Sequence, residues 1–269
     1  MPTNKGFDCA TPLTASLAAL FFSQGYSFVG RYLSRPGSWK RLSPTEARVI
    51  NDVGLWIVSI FERDADRASK GAAAGSEDGK MALELAREVE QPEGSTIYFA
   101  VDYDAGPQDF DAIEAYMRAA DKEIDGYELG IYGSYRVVEA MRLRGVTTKL
   151  WQTYAWSKGL RTEHAGLYQF QNDIRVNGIG IDLNESNGDA GGWNMLKPQQ
   201  TPVPQLPESI ANNIIDSYLS ENWNQCEAAR QAAINDGRTD AAEAWLKLRD
   251  WQHTLANELR KASGQPIQD

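Results

Sequence analysis

Short apolar segments alternate with amphipathic segments along the N-terminal part of the chain. Residues 28–34 and 55–64 are rich in β-branched and aromatic side chains, as buried strands are. Residues 76–91 and 107–124 instead repeat apolar side chains every three or four positions, which is the period of an amphipathic helix. The two kinds of segment follow one another in turn, and this order predicts βα units built around a parallel sheet.

These two periods locate the predicted elements along the chain. The second helix has a capping-box start, with Ser43 as the cap, Pro44 in the first helical position and Glu46 three residues after the cap. The predicted helices are residues 14–25, 43–54, 76–91, 107–124 and 135–145. The predicted strands are residues 6–10, 28–34, 55–64, 95–104, 127–134, 149–156, 165–173 and 178–186.

The order of the elements indicates the fold class. Only short links separate the last three predicted strands, so helices are missing late in the pattern. An α/β fold with a closed (β/α)8-type barrel, TIM-like but lacking some late helices, fits best, and a doubly wound open sheet is the alternative. No glycine-rich phosphate loop follows the first strand, which argues against a nucleotide-binding sheet.

The pattern changes after residue 196, which we take as the end of the barrel domain. Residues 197–208 carry four of the 11 prolines and predict a semi-rigid linker. Residues 209–269 predict a C-terminal helical region with two apolar stripes. The stripes consist of Ile210, Ile214 and Tyr218, and of Trp245, Leu248, Trp251, Leu255 and Leu259. We expect a helical hairpin, and the alternative is an element for oligomerisation or partner binding.

Composition and charge narrow the function classes. The chain has 27 basic and 37 acidic residues and a net charge of −10, without a basic tract. Nucleic-acid binding needs a positive surface that neutralises phosphates, so we do not expect it, nor binding to anionic lipid. No apolar run approaches the length of a membrane span, and no signal peptide is recognisable, so we expect no membrane insertion. The two cysteines, Cys9 and Cys226, do not suggest a disulfide framework.

In a (β/α)8 barrel the functional residues lie at the carboxyl ends of the strands. Several predicted strands carry acidic residues at or near these ends. The candidate catalytic residues are Asp8, Glu62, Asp102, Asp104 and Asp182. Other polar and aromatic residues near the strand ends suit the stacking and hydrogen bonding of sugars. The candidate substrate-binding residues are Arg31, Tyr32, Tyr132, Trp151, Gln152, Gln169 and Asn184.

Asp102 and Asp104 are the most suggestive pair. If the strand runs to residue 104, its period of two puts both carboxyl groups on one face. Glycoside hydrolysis uses two carboxyl groups, one as an acid and the other as a base or nucleophile. Each candidate also has a simpler interpretation, because a strand-end aspartate often caps a helix or a turn, and Glu62 could pair with a neighbouring arginine.

Other chemistries are less well supported by the sequence. Asp8, Asp102, Asp104 and Asp182 could together hold a hard cation through oxygen ligands, but no metal-binding motif is present. The two histidines, at positions 164 and 253, are not near a predicted strand end, which argues against nucleophilic Ser/His or Cys/His chemistry. We expect neither a metal nor another cofactor.

Six motifs in the same order resemble those of a known family. They are GFDCATPL, VGRYLS, IYFAVDYDA, GIYGSY, LWQTYAW and GIGIDLN, within residues 5–195. Together they resemble the glycoside hydrolase-like domain family, formerly a domain of unknown function, which is related to the family 25 glycoside hydrolase lysozymes. That family occurs in phage endolysins and in bacterial wall-associated proteins. The resemblance implies a lysozyme-like barrel that acts on peptidoglycan.

The resemblance also implies roles for particular residues. Asp8 corresponds to the early aspartate of the lysozyme relatives, and Asp182 corresponds to their late aspartate before Leu-Asn. Asp102 and Asp104 correspond to their Asp-x-Glu pair, in which the glutamate donates the proton. This chain departs from the pattern because Asp104 is one methylene shorter than glutamate. The general acid is therefore expected to be Asp104 or Glu62, with Asp102 as nucleophile or electrostatic stabiliser.

The leading hypothesis is a peptidoglycan-degrading glycoside hydrolase of the endolysin type, whose partner is the glycan strand. Such a protein is expected to be made in the cytoplasm without a signal peptide and to reach the wall through phage lysis or a secretion system. One alternative is a non-catalytic barrel that binds wall glycan and recruits a partner through its helical tail. Another is a wall amidase or effector.

Overall fold

The computed structural model describes residues 4–188, 190–196, 206–263 and 265–268. The chain divides into two compact units, Met1–Gln199 and Gln200–Asp269. The predicted linker, residues 197–208, falls mainly on residues 197–205, which lie outside the described residues. Each unit is therefore described by itself.

The first unit is a closed barrel of eight strands in sequence order, which confirms the predicted fold class. The strands are β1 (Asn4–Asp8), β2 (Phe28–Leu33), β3 (Trp56–Phe61), β4 (Thr96–Ala100), β5 (Glu128–Ser134), β6 (Lys149–Thr153), β7 (Leu167–Val176) and β8 (Ile179–Ser186). Strands β1 to β7 are parallel, but β8 is antiparallel to both β7 and β1. The start of β8, not its end, therefore lies beside the carboxyl ends of the other strands.

Helices cover the first five connections of the barrel. They are α1 (Ala15–Ser23), α2 (Pro44–Asp52), α3 (Ala72–Glu88), α4 (Phe110–Asp121) and α5 (Tyr135–Leu143). The predicted cap of α2 is confirmed, because the Ser43 side chain accepts a hydrogen bond from the Glu46 amide. Within the described residues no helix lies between β6 and β7 or between β7 and β8, so the barrel has fewer helices than a full (β/α)8 fold.

The core has two layers because successive strand residues point to opposite sides of the sheet. The outer layer lies between strands and helices and includes Phe7, Phe61 and Phe99. A smaller cluster fills the inside of the barrel, and it includes Tyr98 and Trp151. The inner rings pack edge to face, with the centroids of Tyr98 and Trp151 5.6 Å apart. The barrel interior is thus a packed core, and only its mouth is free to carry a site.

The second unit is helical. It contains α6 (Glu208–Ile214), a π-helical turn (Ile215–Leu219), α7 (Ser220–Asn235) and α8 (Thr239–Ala262), and α7 and α8 pack together. Its most buried side chains are mostly small, including Ala233 and Ala256, whereas Trp251 of the predicted stripe is exposed. Small residues let the two helices approach closely, and this displaces the larger side chains to the edges. No helix in the described ranges is long and apolar enough to cross a membrane.

Candidate active site

The polar residues that face inward lie at the carboxyl end of the barrel, which we call the mouth. Asp8, at the end of β1, is 4% exposed and lies opposite Asp182 across the β1–β8 pair. Gly30 on β2 makes room for it, since a Cβ at this position would lie 2.7 Å from the Asp8 Cβ and 2.6 Å from the Trp151 ring. The two aspartates are 174 positions apart in sequence, and the antiparallel β8 brings them together.

Neutral donors hold the Asp8 carboxyl group. Its Oδ2 accepts hydrogen bonds from Gln169 Nε2 at 2.9 Å and from Asn184 Nδ2 at 2.7 Å. Trp151 Nε1 donates to Asn184 Oδ1 at 2.8 Å, and the Tyr132 hydroxyl donates to Gln169 Oε1 at 3.0 Å. These bonds fix both amide groups so that their N–H groups point to Asp8. The network thus contains four of the predicted substrate-binding residues.

Asp182 shares one donor with Asp8. Its Oδ2 lies 3.2 Å from Gln169 Nε2, and its Oδ1 accepts from the backbone N–H of Asp173 at 2.8 Å. Burial and the neighbouring Asp182 carboxylate raise the pKa of Asp8 to about 7. Burial also raises the pKa of Asp182. Two close carboxyl groups disfavour double ionisation, so this pair keeps a proton to a higher pH than an isolated aspartate does.

A second acidic pair lies across the mouth. Burial, followed by the charge of Glu62, raises the pKa of Asp102, although Lys40 opposes the shift. Glu62 forms an ion pair with Lys40 at 3.0 Å, and the Lys40 ammonium lies 4.4 Å from the ring centroid of Tyr32. Burial and then the Asp8 and Glu62 charges raise the pKa of the Tyr32 hydroxyl. All four carboxyl groups, together with Tyr32, therefore interact within one small region.

Asp104 is not part of this cluster. Strand β4 ends at Ala100, so the predicted common strand face of Asp102 and Asp104 is wrong. The chain turns after β4, and the Asp102 amide donates to the Ala65 carbonyl at 3.2 Å. Asp104 is exposed and lies 3.5 Å from Arg136. The structure thus separates the two aspartates of the motif.

Arg31 and Gln152 point to the outside of the barrel. Arg31 donates to both carboxylate oxygens of Glu46, at 2.7 and 3.1 Å, between the sheet and α2. Gln152 accepts from the Thr162 amide at 2.9 Å and donates to the Leu160 carbonyl at 2.8 Å, which fixes the loop after β6. Their strand neighbours, Tyr32 and Trp151, face inward, because successive residues of a strand point to opposite faces and only one residue of each pair can face the mouth.

Sequence reasoning did not single out two residues of the mouth. Thr153 donates to Gln169 Oε1 at 2.7 Å, and Lys40 binds Glu62. Thr153 lies two positions after Trp151, so alternation could have placed it on the same face. Lys40 lies in the loop after β2, where no periodicity applies. No group of three or more His, Cys, Asp or Glu side chains in the described residues has a metal-binding arrangement.

Comparison with known sequences finds a family match over most of the barrel. A sequence profile described as "Rv2525c-like, glycoside hydrolase-like domain" matches residues 18–186. The uncharacterized protein YbfG of Bacillus subtilis is 29% identical over 234 residues, which cover 75% of this chain and 31% of that protein. The chain therefore spans about a third of the length of this relative.

Comparison with solved structures finds the same architecture in the protein Rv2525c and in cell-wall lytic enzymes. The Tat-secreted protein Rv2525c of Mycobacterium tuberculosis, solved with L-tartrate, is 26% identical with a TM-score of 0.63, and 71% of this chain and 98% of that chain are covered. The catalytic domain of endolysin ply40 from Listeria bacteriophage P40 is 14% identical with a TM-score of 0.50, over 71% and 96% of the two chains. The autolysin LytC of Streptococcus pneumoniae, solved with a synthetic peptidoglycan ligand, is 12% identical with a TM-score of 0.50, over 68% and 46%. The last two likenesses show the fold alone.

Proposed function

The chain belongs to the Rv2525c-like, glycoside hydrolase-like domain family, and from this premise we propose that it hydrolyses the glycan strands of peptidoglycan. Its glycoside hydrolase-like fold resembles that of cell-wall lytic enzymes. Glycoside hydrolysis is commonly carried out by two carboxyl groups in different protonation states. The observation that carries the proposal is the convergence of Asp8, Asp102 and Asp182, all with a raised pKa, at the mouth of the barrel.

Asp102 fits the role of general acid. A proton donor must reach the glycosidic oxygen and must keep its proton near the working pH. Asp102 is half-buried at the mouth, and both burial and Glu62 raise its pKa. The ion pair between Lys40 and Glu62 holds Glu62 beside it. For this role we propose Asp102 in place of Asp104 or Glu62, because Asp104 is exposed and lies 3.5 Å from Arg136, and Glu62 forms an ion pair with Lys40.

The Asp8–Asp182 pair fits the role of electrostatic stabiliser. Because the raised pKa values disfavour ionisation of both groups together, the pair carries less than two negative charges near neutral pH. Hydrolysis of a glycoside passes through a transition state with positive charge on the sugar ring. A fixed negative charge at the floor of the mouth stabilises that state, and neutral amide donors do not cancel it. Asp182 is the more accessible member, and Asp8 acts through it.

The experiment is the release of reducing ends from purified peptidoglycan between pH 4 and 8. Wild-type protein is compared with Asp102→Asn, which keeps the size of the side chain and removes its proton chemistry. Reducing ends from the wild type and their loss in the variant support the proposal. A wild type that binds peptidoglycan and releases no reducing ends at any pH would favour the non-catalytic glycan-binding barrel. New amino groups in place of reducing ends indicate an amidase.

The place of action is part of the same proposal. We propose that the protein acts on the wall after leaving the cytoplasm, through phage lysis or a secretion system. The related Rv2525c is named as a Tat-secreted protein, which supports action outside the cytoplasm. Fractionation of the producing cells before and after lysis tests this, because activity that remains in the cytoplasmic fraction contradicts it.

The oligomerisation prediction for the helical tail is tested by light scattering on the full chain.

A further inference from the structure

A cavity of about 560 Å³ opens beside the mouth, and nothing in the proposed chemistry uses it. We call it the side cavity; it is lined by the loop of residues 34–40 and by Arg63. The loop follows β2 and Arg63 follows β3, so both parts lie at the carboxyl edge of adjacent strands. The side cavity therefore lies on the same rim of the barrel as the acidic cluster.

Lys40 connects the side cavity to the acidic cluster. Its side chain lines the cavity and forms the 3.0 Å ion pair with Glu62. Its ammonium also packs over the ring of Tyr32, which faces the inside of the barrel. Glu62 in turn acts on the Asp102 carboxyl group. Lys40 and Glu62 thus link the side cavity to Asp102, the proposed general acid, so the cavity and the mouth are neighbouring parts of one rim.

The charge of the side cavity is opposite to that of the mouth. Three cationic side chains line it, those of Arg35, Lys40 and Arg63, and no acidic residue is among its described lining residues. Lys40 and Arg63 have acidic partners outside the cavity: Glu62 pairs with Lys40, and Glu77 and Asp78 pair with Arg63. Arg35 is exposed and forms no ion pair with any residue that the structure describes. Arg35 is therefore the cation of the side cavity that is open to bind an anion, which stands out in a chain of net charge −10.

An aromatic ring lines the same cavity as Arg35. Trp39 is 69% exposed, the largest value among the exposed large hydrophobic side chains with a ring in the described residues. Leaving this much indole in water is unfavourable, and exposed tryptophans are typical of binding surfaces. The flat face of an indole packs against the C–H face of a pyranose ring. Arg35 offers a planar set of donors that matches a carboxylate.

From this arrangement we propose that the side cavity is a subsite for a sugar that carries a carboxylate. Arg35 binds the carboxylate, and Trp39 stacks on the ring. The proposal rests on the proposed function, because it assigns the side cavity to the sugar next to the bond that is cut. Peptidoglycan offers such a group in the lactyl carboxylate of N-acetylmuramic acid, and a uronic acid offers the same chemistry directly on the ring.

The test is NMR titration of the full chain with single sugars, which contain no bond to cut and so do not depend on catalysis. We expect N-acetylmuramic acid to bind about tenfold more tightly than N-acetylglucosamine, as one charge-assisted contact implies. Arg35→Gln removes this preference, and added salt weakens the binding of the acid only. Trp39→Ala weakens the binding of both sugars by similar factors.

Arg48→Gln is the matched control, because Arg48 is an exposed arginine on α2 whose ion-pair partner is Glu90 and which does not line the cavity. We expect it to leave both affinities unchanged. Glucuronic acid, compared with glucose, distinguishes the two sources of the carboxylate, and preference for either acid over its neutral counterpart supports the proposal. If neither acid binds more tightly than its neutral counterpart, or if Arg35→Gln and Arg48→Gln lose equal affinity, the proposal is overturned.

The outcomes separate this proposal from the proposed function. If peptidoglycan yields no reducing ends but the Arg35-dependent preference is present, the side cavity is a glycan-binding site and the hydrolase proposal fails. If reducing ends are released and the preference is absent, the hydrolase proposal stands and the side cavity is not a subsite. The melting temperature of Arg35→Gln is expected to equal that of the wild type, since the side chain is exposed.

Discussion

Asp8 and Glu46 are two buried acids on opposite sides of the same barrel wall. They are 4% and 6% exposed, respectively, so water solvates neither. Glu46 receives two hydrogen bonds from the Arg31 guanidinium and one from the Leu13 amide at 2.8 Å. Asp8 receives two from neutral amides and lies beside a second acid, Asp182. The difference is that one buried charge is compensated and the other is not.

This contrast separates structural acids from candidate catalytic acids. A buried carboxylate with a fixed guanidinium partner holds two elements together, here β2 and α2. A buried carboxyl group without a cation shifts its pKa and becomes a group that exchanges protons near neutral pH. Asp78 repeats the first pattern, since Arg67 Nε lies 2.9 Å from its Oδ2. The mouth is the part of the described barrel where raised carboxyl pKa values gather.

The largest effect is expected at Asp102. Asp102→Asn lowers the rate of reducing-end release about 10²- to 10⁴-fold, because removal of a general acid has an effect of this size. Asp104→Asn is the matched control on the same loop, and it leaves the rate within about threefold of the wild type, because an exposed ion pair contributes little. Initial rates on purified peptidoglycan measure both. Equal losses of rate in Asp102→Asn and Asp104→Asn would contradict the different roles proposed for the two aspartates.

The next effect concerns the compensated acid. Arg31→Met leaves Glu46 buried without its cation and lowers the free energy of unfolding by about 3–5 kcal/mol. Replacing both partners, as Arg31→Met with Glu46→Leu, recovers most of this loss, because no uncompensated charge remains. Urea denaturation followed by circular dichroism measures both variants. A double variant no more stable than Arg31→Met shows that the ion pair is not the source of the effect.

A smaller effect is expected at the uncompensated acid, and it depends on pH. The pKa of Asp8 rises from its ordinary value of 3.8 to about 7 on folding, so the folded protein binds the proton more tightly than the unfolded chain. Stability from this group is present below about pH 4 and is lost as pH rises to about 7, by an amount on the order of a few kcal/mol. Asp8→Asn flattens the pH profile of the melting temperature over this window. Asp104→Asn is expected to keep the wild-type dependence of the melting temperature on pH. If Asp104→Asn flattens the profile and Asp8→Asn does not, the raised pKa is wrongly assigned to Asp8.

The smallest effect is expected at a surface ion pair. Arg48 and Glu90 are both more than half exposed, and water screens the interaction between their charges. Arg48→Gln is expected to change the free energy of unfolding by less than about 1 kcal/mol. If Arg48→Gln lowers the free energy of unfolding as much as Arg31→Met does, burial does not explain a difference between the two ion pairs. Denaturation under the conditions used for Arg31→Met provides this comparison.

Local sequence patterns predicted most of the barrel. The side chains of a strand repeat every 2 residues and those of a helix every 3.6, and the apolar positions of this chain follow these periods. Strands and helices could therefore be recognised without any tertiary contact. The cap at Ser43 is equally local. The site was predicted less well, because Asp8, Asp102 and Asp182 were identified but Asp104, Arg31 and Gln152 lie elsewhere. The alternation of side chains along a strand showed that only one residue of Arg31–Tyr32 and one of Trp151–Gln152 could face the mouth, but it did not show which one.

The sequence by itself determined the order of elements, the α/β class and the acidic character of the strand ends, and it left an open sheet as the alternative to a closed barrel. Only the tertiary structure decided which of these acids meet. The end of β4 at Ala100 and the reversal of β8 depend on pairing with distant strands, and a local pattern does not contain that pairing. The pKa of Asp8 depends on burial beside Asp182, a residue 174 positions away. Protonation near neutral pH is therefore a property of the folded barrel.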